Sequence, residues 1–323
     1  MPTAPIAMLD VGSTNSRAWL VSGGTILRRA AASVGVRDSV RTGSTALLRQ
    51  TVRQLIEQIS ADHPVGLVAA AGMITSPLGL ADVPHVAAPA SAQDLSAAAV
   101  ILHPTDITRL PMLLVPGVRT GAAAASVEQL DVMRGEETLA VGLTDSGLLR
   151  RGGLLLTAGS HWKLIWTDAD GRVAGSRTSL GGEIVHAVQT ATLLNASLPS
   201  QPMHTCDREW LEAGAAAARK WGLPRAMFQV RLLDQSAAAG AAERLNWLVG
   251  ACVAVDLDGL TASGRLGAGE AVLVTGPAAV PHAWRHLLQI AGCRAEVLDS
   301  HATEQAFVRG LSTVVDARRR ELR

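Results

Sequence analysis

A strand–turn–strand pattern occurs twice in the chain, and the two copies are 147 residues apart. In the first copy an apolar run, Ile6 to Leu9, ends in Asp10. The turn formers Gly12 to Asn15 then separate it from two extended segments, Arg17 to Val21 and Thr25 to Ala31. This copy predicts three antiparallel strands joined by tight turns.

The second copy begins with the buried run Leu154 to Ala158, and its turn is Gly159 to His161. Extended segments follow at Lys163 to Thr167 and Val173 to Thr178. In both copies a Gly-Ser turn follows an apolar strand and precedes a cation and then a Trp. We call residues 12–15 the first Gly-Ser turn and residues 159–161 the second. Because the repeat distance is close to half of 323 residues, the duplication predicts two similar α/β domains.

Helical periodicity fills much of the remaining chain, and the second half is richer in helix. The predicted helices are Thr45 to Ser60, Gly182 to Leu194, Asp207 to Trp221, Ala238 to Val255, Ala279 to Ala291 and His301 to Ala317. Buried strands are predicted at Val65 to Ala70 and Ala271 to Val274. We place the domain boundary near Asp131 to Gly135, which gives domains 1–133 and 134–323.

Charge and composition argue against several classes of function. Lys and Arg number 29 against 28 Asp and Glu, without a basic cluster, so no nucleic-acid partner is expected. The three cysteines are far apart and odd in number, which fits a reducing cytoplasm. The most apolar segment, Leu245 to Val255, has 11 residues between charges, so we expect no membrane span. The oligomeric state stays open, with a homodimer among the alternatives.

Two Gly-Ser turns can present backbone N–H groups and hydroxyls to phosphate oxygens. Taken singly, each turn is also typical of an ordinary hairpin, and the duplication favours the phosphate site. Asp10, at the end of its strand, is placed to hold Mg²⁺ directly or through water, since phosphates supply the other oxygens. The turn residues expected on opposite walls of one cleft are Ser13, Thr14, Gly159 and Ser160.

The run Arg134-Gly135-Glu136-Glu137 has two interpretations. An arginine fork could hold an anionic substrate while a carboxylate accepts a hydroxyl proton. Alternatively, the run is an exposed helix start whose two acids complement the helix dipole. The residues themselves leave both open.

Six segments match a known protein family in their order and spacing: Leu9 to Leu20, Ala71-Gly72-Met73-Ile74, Val83-Pro84-His85, Pro89-Ala90, Val115-Pro116-Gly117 and Asp131 to Thr138. Through these segments the chain resembles the 2-dehydro-3-deoxygalactonokinase family over nearly its whole length. Met133 to Thr138 is the most specific of them. The resemblance implies an α/β fold of two actin-like (ribonuclease H-like) domains, in which the duplicated β-hairpin unit binds phosphate and a central cleft separates the domains.

The resemblance also implies a reaction, in which ATP with Mg²⁺ phosphorylates the terminal 6-hydroxyl of 2-dehydro-3-deoxy-galactonate, a small sugar acid. Glu136 is then the catalytic base, and Asp10 the metal ligand. The residues implied in substrate binding are Arg134, Asn15, Arg17, Gly72 and Met73. Those implied in nucleotide binding are Asp10, Gly12, Ser13, Thr14, Gly159, Ser160, His161, Lys163, Thr275 and Gly276.

Several positions depart from the family's pattern. Val11 stands where the family has Trp, and Thr275-Gly276-Pro277 replaces its Ala-Gly-Thr, so that Pro277 removes a backbone donor from the expected adenosine loop. His161 and Lys163 either contact phosphate or have structural roles, with Lys163 then pointing outward from its strand. The alternative functions are a kinase for another sugar acid or aldonate and a non-catalytic nucleotide-binding regulator of the same fold.

Overall fold

The computed structural model describes residues 4–122 and 125–321, and the chain packs into two compact units. The first contains Met1–Gly153, Ile165–Arg177 and His301–Arg323, and the second contains Leu154–Leu164 and Thr178–Ser300. These packing units differ from the domains 1–133 and 134–323, whose boundary stays a prediction. The difference arises because residues 134–153, residues 165–177 and the last helix also pack in the first unit.

The strands in chain order are β1 Ile6–Val11, β2 Ser16–Ser22, β3 Thr25–Ala32, β4 Leu67–Gly72, β5 Val86–Ala87, β6 Val100–Leu102, β7 Met112–Leu114, β8 Val118–Thr120, β9 Asp131–Met133, β10 Leu154–Ala158, β11 Trp162–Thr167, β12 Val173–Ser179, β13 Ala271–Thr275 and β14 Arg294–Val297. The helices are α1 Val36–Thr42, α2 Ala46–Ser60, α3 Ala92–Ala98, α4 Glu136–Asp145, α5 Gly181–Ala191, α6 Arg208–Trp221, α7 Leu223–Gln235, α8 Ala241–Ala262, α9 Val280–Ile290 and α10 Ser300–Glu321. The strands and helices predicted from the sequence are confirmed, with ends that shift by up to seven residues, the largest shift being at the end of α8.

The first unit is built on a six-stranded sheet in the order β3-β2-β1-β4-β7-β6. The hairpin strands β1, β2 and β3 pair antiparallel, as predicted, whereas β4 pairs parallel to both β1 and β7. The apolar face of α2 packs on this sheet through Leu48, Val52 and Leu55. A smaller sheet has the order β5-β8-β9.

Helix α10 belongs to the first unit because it packs on β2 and α4. The indole N–H of Trp19 donates to Glu304 at 2.6 Å, and its ring lies 5.6 Å from that of Phe307. Where α4 meets α10, Gly142 and Gly310 face the backbone of the opposite helix, and a β-carbon on either would overlap a carbonyl oxygen. The two glycines therefore allow the helices to approach more closely than any side chain would permit.

The second unit is built on a sheet with the order β12-β11-β10-β13-β14. Residues 165–177, which include the end of β11 and most of β12, belong to the first unit. In both sheets a three-strand segment is followed by a later strand that pairs parallel to the segment's first strand, β4 with β1 and β13 with β10. The duplication inferred from the sequence is therefore present in the strand order.

Helix α8 is the central helix of the second unit. Its Gly250 faces the carbonyl oxygen of Leu211 on α6, where no side chain could fit. Among the described residues, α8 alone is long and apolar enough to cross a membrane, judged by length and composition. Because 61% of its most apolar 18-residue stretch is buried inside the fold, α8 has the pattern of a core helix.

Candidate active site

In the first unit, the carboxylate of Asp10 lies where the ends of β1 and β4 meet the start of α4. Asp10 pairs with Ala71, and Val11 with Gly72, in the parallel register. A β-carbon placed on Gly72 would lie 3.3 Å from Asp10 Oδ1 and 2.5 Å from the carbonyl oxygen of Val11. Gly72 has a φ of 91°, so both its conformation and its surroundings require glycine.

Gly135 brings the start of α4 against the same place. A β-carbon on Gly135 would lie 3.1 Å from Gly72 Cα and 3.9 Å from Asp10 Oδ1. Its φ of 104° is again one that L side chains avoid. Sequence segments that are more than 120 positions apart, around Asp10 and Glu136, are thus brought together in one cluster, which we call the Asp10 cluster: Asp10, Arg17, Gly72, Gly135 and Glu136.

The two carboxylates that follow Gly135 have different surroundings. Glu136 is partly exposed, and its Oε2 accepts a hydrogen bond from the backbone N–H of Arg134 at 3.2 Å. Glu137 is fully buried, and both of its oxygens accept from the N–H of Gly135. A helix does start here, but the interpretation of an exposed start is wrong for Glu137, which binds backbone inside the fold.

The charge state of Asp10 is set by this environment. Burial raises the pKa of Asp10 from 3.8 to about 6, with Arg17 opposing the shift and the nearby charge of Glu136 adding to it. Arg17 lies opposite Asp10 on β2, and its Nη1 is 3.7 Å from Asp10 Oδ2. More than half of the Arg17 side chain is exposed, which leaves it accessible to an anion.

Arg134 is more enclosed than the sequence suggests, with only 8% of its side chain exposed. Its Nη1 donates to Thr75 Oγ1 and to the carbonyl oxygen of Val83, both at 2.9 Å. Its Nη2 lies 3.5 Å from Asp82 Oδ1. Arg134 therefore joins the start of α4 to the segment that follows β4, where Met73 begins a 3₁₀ turn and packs against the core.

The first Gly-Ser turn is closed by a hydrogen bond from the N–H of Gly12 to the carbonyl oxygen of Asn15, at 2.8 Å. Asn15 donates to the Thr14 hydroxyl at 3.0 Å, and Gly12, Ser13 and Thr14 are partly exposed. The N–H of Arg37, in the first turn of α1, donates to the carbonyl oxygen of Ser13 at 2.9 Å. Our sequence reasoning did not identify this support from α1.

The second Gly-Ser turn packs against the start of α5. A β-carbon on Gly182 would overlap the carbonyl oxygen of Gly159 and lie 2.7 Å from that of Ser160. The N–H of Glu183 donates to the carbonyl oxygen of Ser160 at 2.8 Å. His161 Nε2 lies 3.7 Å from Glu183 Oε1. From the sequence, Gly182 was identified only as the start of a predicted helix, without this structural role.

The end of β13 lies beside the second Gly-Ser turn. Thr275 pairs with Thr157, and a β-carbon on Gly276 would lie 2.7 Å from the carbonyl oxygen of Ala158. After Pro277, Ala278 has a φ of 55°, which is unusual for a residue with a side chain. Lys163 is only 5% exposed, so the alternative that it points outward is wrong.

The described geometry thus brings the predicted residues into two groups, one in each unit. The Asp10 cluster offers two neighbouring carboxylates and an exposed guanidinium, a set suited to activating a hydroxyl near a cation. The second group offers a small-residue turn at a helix start beside Thr275 and Gly276, which suits phosphate oxygens. The functional roles of these residues stay predictions.

Comparison with known proteins supports both the fold and the order of these elements. The sequence profile described as 2-keto-3-deoxy-galactonokinase matches residues 10–314. The 2-dehydro-3-deoxygalactonokinase of Escherichia coli K12 is 24% identical over 321 residues, which cover 97% of this chain and 99% of the relative.

Solved structures show the same fold. A protein from Sinorhizobium meliloti, provisionally assigned as a 2-dehydro-3-deoxygalactonokinase, superposes with a TM-score of 0.76 at 21% identity and covers 97% of this chain and 98% of its own. The activator of the 2-hydroxyisocaproyl-CoA dehydratase from Clostridium difficile, solved with bound ADPNP, gives 0.51 at 14% identity, with 98% and 97% covered. The predicted actin-like α/β fold is thereby confirmed.

Proposed function

Because this chain belongs to the 2-keto-3-deoxy-galactonokinase family, we propose that it transfers the γ-phosphoryl group of ATP to the terminal 6-hydroxyl of 2-dehydro-3-deoxy-galactonate, giving the 6-phosphate and ADP. Membership makes the chain a kinase that acts on a small sugar substrate. The finer statement, which acid and which hydroxyl, is our proposal. The observation that carries the proposed phosphoryl transfer is the approach of Glu136 to Asp10 inside the first unit, which brings a candidate base close to a candidate metal ligand.

Glu136 is the proposed general base. Its carboxylate is partly exposed at the start of α4 and accepts a hydrogen bond from the backbone N–H of Arg134. In the reaction, the acceptor oxygen forms a new bond to the γ-phosphorus, while the bond from that phosphorus to the β–γ bridging oxygen breaks and ADP leaves with the electron pair. The acceptor's proton passes to Glu136.

Asp10 is the proposed ligand of Mg²⁺. In the part of the chain that the structure describes, no group of three or more His, Cys, Asp or Glu side chains could hold a metal without help. A single carboxylate is nevertheless sufficient when nucleotide phosphates and waters complete the octahedral shell of Mg²⁺. Asp10 fits this requirement, since it lies near the end of β1, just before the phosphate-binding candidates Gly12 and Ser13. The cation would neutralise charge on the phosphates.

Nucleotide phosphates are the proposed ligands of the second Gly-Ser turn. Gly159 and Ser160 are partly exposed, and the carbonyl oxygen of Ser160 accepts a hydrogen bond from the start of α5. In this proposal, N–H groups of the turn and the Ser160 hydroxyl contact the phosphate oxygens. Thr275 and Gly276, packed beside Ala158, are proposed to contact the nucleoside part.

Recognition of the acid is assigned to the first unit. Arg17 is exposed and close to Asp10, and it can attract the substrate's carboxylate or a phosphate. Arg134 has its Nη1 committed to Thr75 and Val83, so any substrate contact must use its other N–H groups. Asn15, Gly72 and Met73 are the remaining candidates for contacts to the substrate.

The test is an ADP-release assay coupled to a panel of acids. The panel contains 2-dehydro-3-deoxy-galactonate, the corresponding gluconate, which differs in the configuration of one carbon, and an aldonate. We expect the galactonate derivative to give the highest kcat/KM, with NMR of the product locating the phosphate on the terminal oxygen. A higher kcat/KM for another acid would replace the substrate assignment, and phosphate on a different oxygen would refute the position.

A further inference from the structure

The second Gly-Ser turn and the start of α5 form one packed element. Gly182 contacts the backbone of Gly159 and Ser160 at a distance that only glycine permits, and Glu183 donates its N–H to Ser160. One residue earlier, Gly181 leaves space for the indole ring of Trp162, which a β-carbon would overlap. Any displacement of the start of α5 must therefore displace the turn.

The start of α5 is held by a side chain from the end of β12. The hydroxyl oxygen of Ser179 accepts a hydrogen bond from the N–H of Gly181 at 3.2 Å. The hydroxyl itself donates to Oδ2 of Asp256, on α8. Leu180, the residue at the N-cap, supplies no capping side chain, so Ser179 takes that role from one position earlier.

The Asp256 carboxylate is hydrogen-bonded within the protein, to the Ser179 hydroxyl. It is partly buried on the face of α8 that meets the end of β12, and burial raises its pKa while the hydrogen bond from Ser179 opposes that shift. The next acid on the helix, Asp258, instead forms an exposed ion pair with Arg219 at 2.7 Å. The two carboxylates on one helix thus have different partners and different degrees of exposure.

We infer that Ser179 and Asp256 are positioning residues that fix the second Gly-Ser turn for binding the phosphates of a nucleotide. The contacts run from Asp256 to Ser179, from Ser179 to Gly181, and from the start of α5 to Ser160. The inference rests on the proposed nucleotide role of this turn. It does not depend on which sugar acid is the substrate.

The experiment measures binding of ADPNP with Mg²⁺ by calorimetry, since binding needs no turnover. Ser179→Ala removes both hydrogen bonds, and Asp256→Ala removes the acceptor. Each should weaken ADPNP binding by about tenfold, the size expected for one lost charged hydrogen bond. Asp256→Asn keeps an acceptor oxygen for the Ser179 hydroxyl and should restore most of the affinity. Asp258→Asn is the matched control and should bind as the parent does.

Two further readouts separate this role from a general loss of structure. The double variant Ser179→Ala with Asp256→Ala should bind no more weakly than the weaker single variant, because both act through one contact path. In the coupled assay, KM for ATP should rise while KM for the acid stays unchanged.

The inference would be overturned if both alanine variants bound ADPNP with the parental affinity. It would also be overturned if Asp258→Asn lost as much ADPNP affinity as the alanine variants do. If an alanine variant fails to fold, the ADPNP affinities of Asp256→Asn and Asp258→Asn are compared instead. A tenfold loss of affinity in Asp256→Asn alone would then overturn the inference, because Asn keeps the acceptor oxygen for Ser179. A parent that binds ADPNP but phosphorylates no acid of the panel would refute the proposed substrate and leave this inference standing.

Discussion

Both carboxylate oxygens of Glu137 accept a hydrogen bond from the backbone N–H of Gly135, at 2.8 and 2.9 Å. Glu137 is completely buried, so this bond fixes the residue at which α4 begins. Glu136, its neighbour, keeps a partly exposed carboxylate. The two acids have the same chemistry and adjacent positions, but only Glu136 is accessible to a substrate.

Replacing Glu136 by Gln should remove the general base while keeping its size. Because base assistance is typically worth about 10²- to 10⁴-fold, kcat should fall by that amount while the affinities for ATP and the sugar acid change little. Steady-state kinetics with both substrates varied would measure the loss.

Glu137→Gln is the internal control for that prediction. Gln retains one oxygen for the N–H of Gly135, so we expect a much smaller loss of kcat together with some loss of stability, because a buried amide replaces a buried carboxylate. If Glu137→Gln is the more damaging change for kcat, or if Glu136→Gln turns over at nearly the parental rate, the base has been assigned to the wrong carboxylate.

Arg134→Ala should weaken binding of the sugar acid by about 2 kcal/mol or more, with less effect on ATP, because a charged hydrogen-bonding partner is lost. The bonds to Thr75 and Val83 disappear as well, so the melting temperature should also fall. Calorimetry with each ligand separates the two affinities. Arg49→Ala, which removes an exposed ion pair with Asp106, should leave both unchanged. Equal losses for acid and nucleotide would contradict a role in acid binding.

Replacing two glycines of α8 by alanine should change the free energy of unfolding in opposite directions. A β-carbon at Gly250 would overlap the carbonyl oxygen of Leu211, so Gly250→Ala should lower the free energy of unfolding by about 1 to 3 kcal/mol. A β-carbon at Gly259 would meet nothing within 4 Å, so Gly259→Ala should raise it by up to about 1 kcal/mol, through helix propensity. Urea denaturation measures both, and stabilisation by Gly250→Ala would refute the close packing of α6 on α8.

Stability in acid should depend on Asp256. Burial raises its pKa above 3.8, so the folded state binds the proton more tightly than the unfolded chain does. The resulting stabilisation is complete below pH 3.8 and is lost as the pH rises through the folded-state pKa. Asp256→Asn cannot titrate, so its free energy of unfolding relative to the parent should increase with pH over this range. Parallel pH profiles for parent and Asp256→Asn would contradict the shift.

The sequence alone was sufficient for the parts of the fold that local patterns specify. The turns at Gly12 and Gly159 and their flanking strands follow from glycine, hydroxyl and apolar spacing, and these local preferences agree with the final structure. The approach of Asp10 to Glu136 could be suggested only through the family resemblance, because nothing local joins β1 to α4.

Other features could not be predicted because their causes are tertiary. No sequence signal distinguishes Asp256 from Asp258, and only the position of β12 beside α8 decides which of them meets Ser179. Helix α7 was not predicted from the sequence. It follows α6 after a single residue, Gly222, and has a Pro in its first turn, which together resemble a helix end followed by a loop. Lys163 is the one charged residue in the apolar run of β11, and yet it is buried.

The packing of α10 on the first unit affects the order in which the protein can fold during synthesis. Trp19 and Glu304 are 285 residues apart, so at cellular rates of elongation roughly 15 to 60 s separate the synthesis of the two partners. During that time the face of the first sheet that α10 covers stays open to water and to chaperones. The second unit needs no residue beyond Ser300 and can complete its core earlier, although it lies later in the sequence.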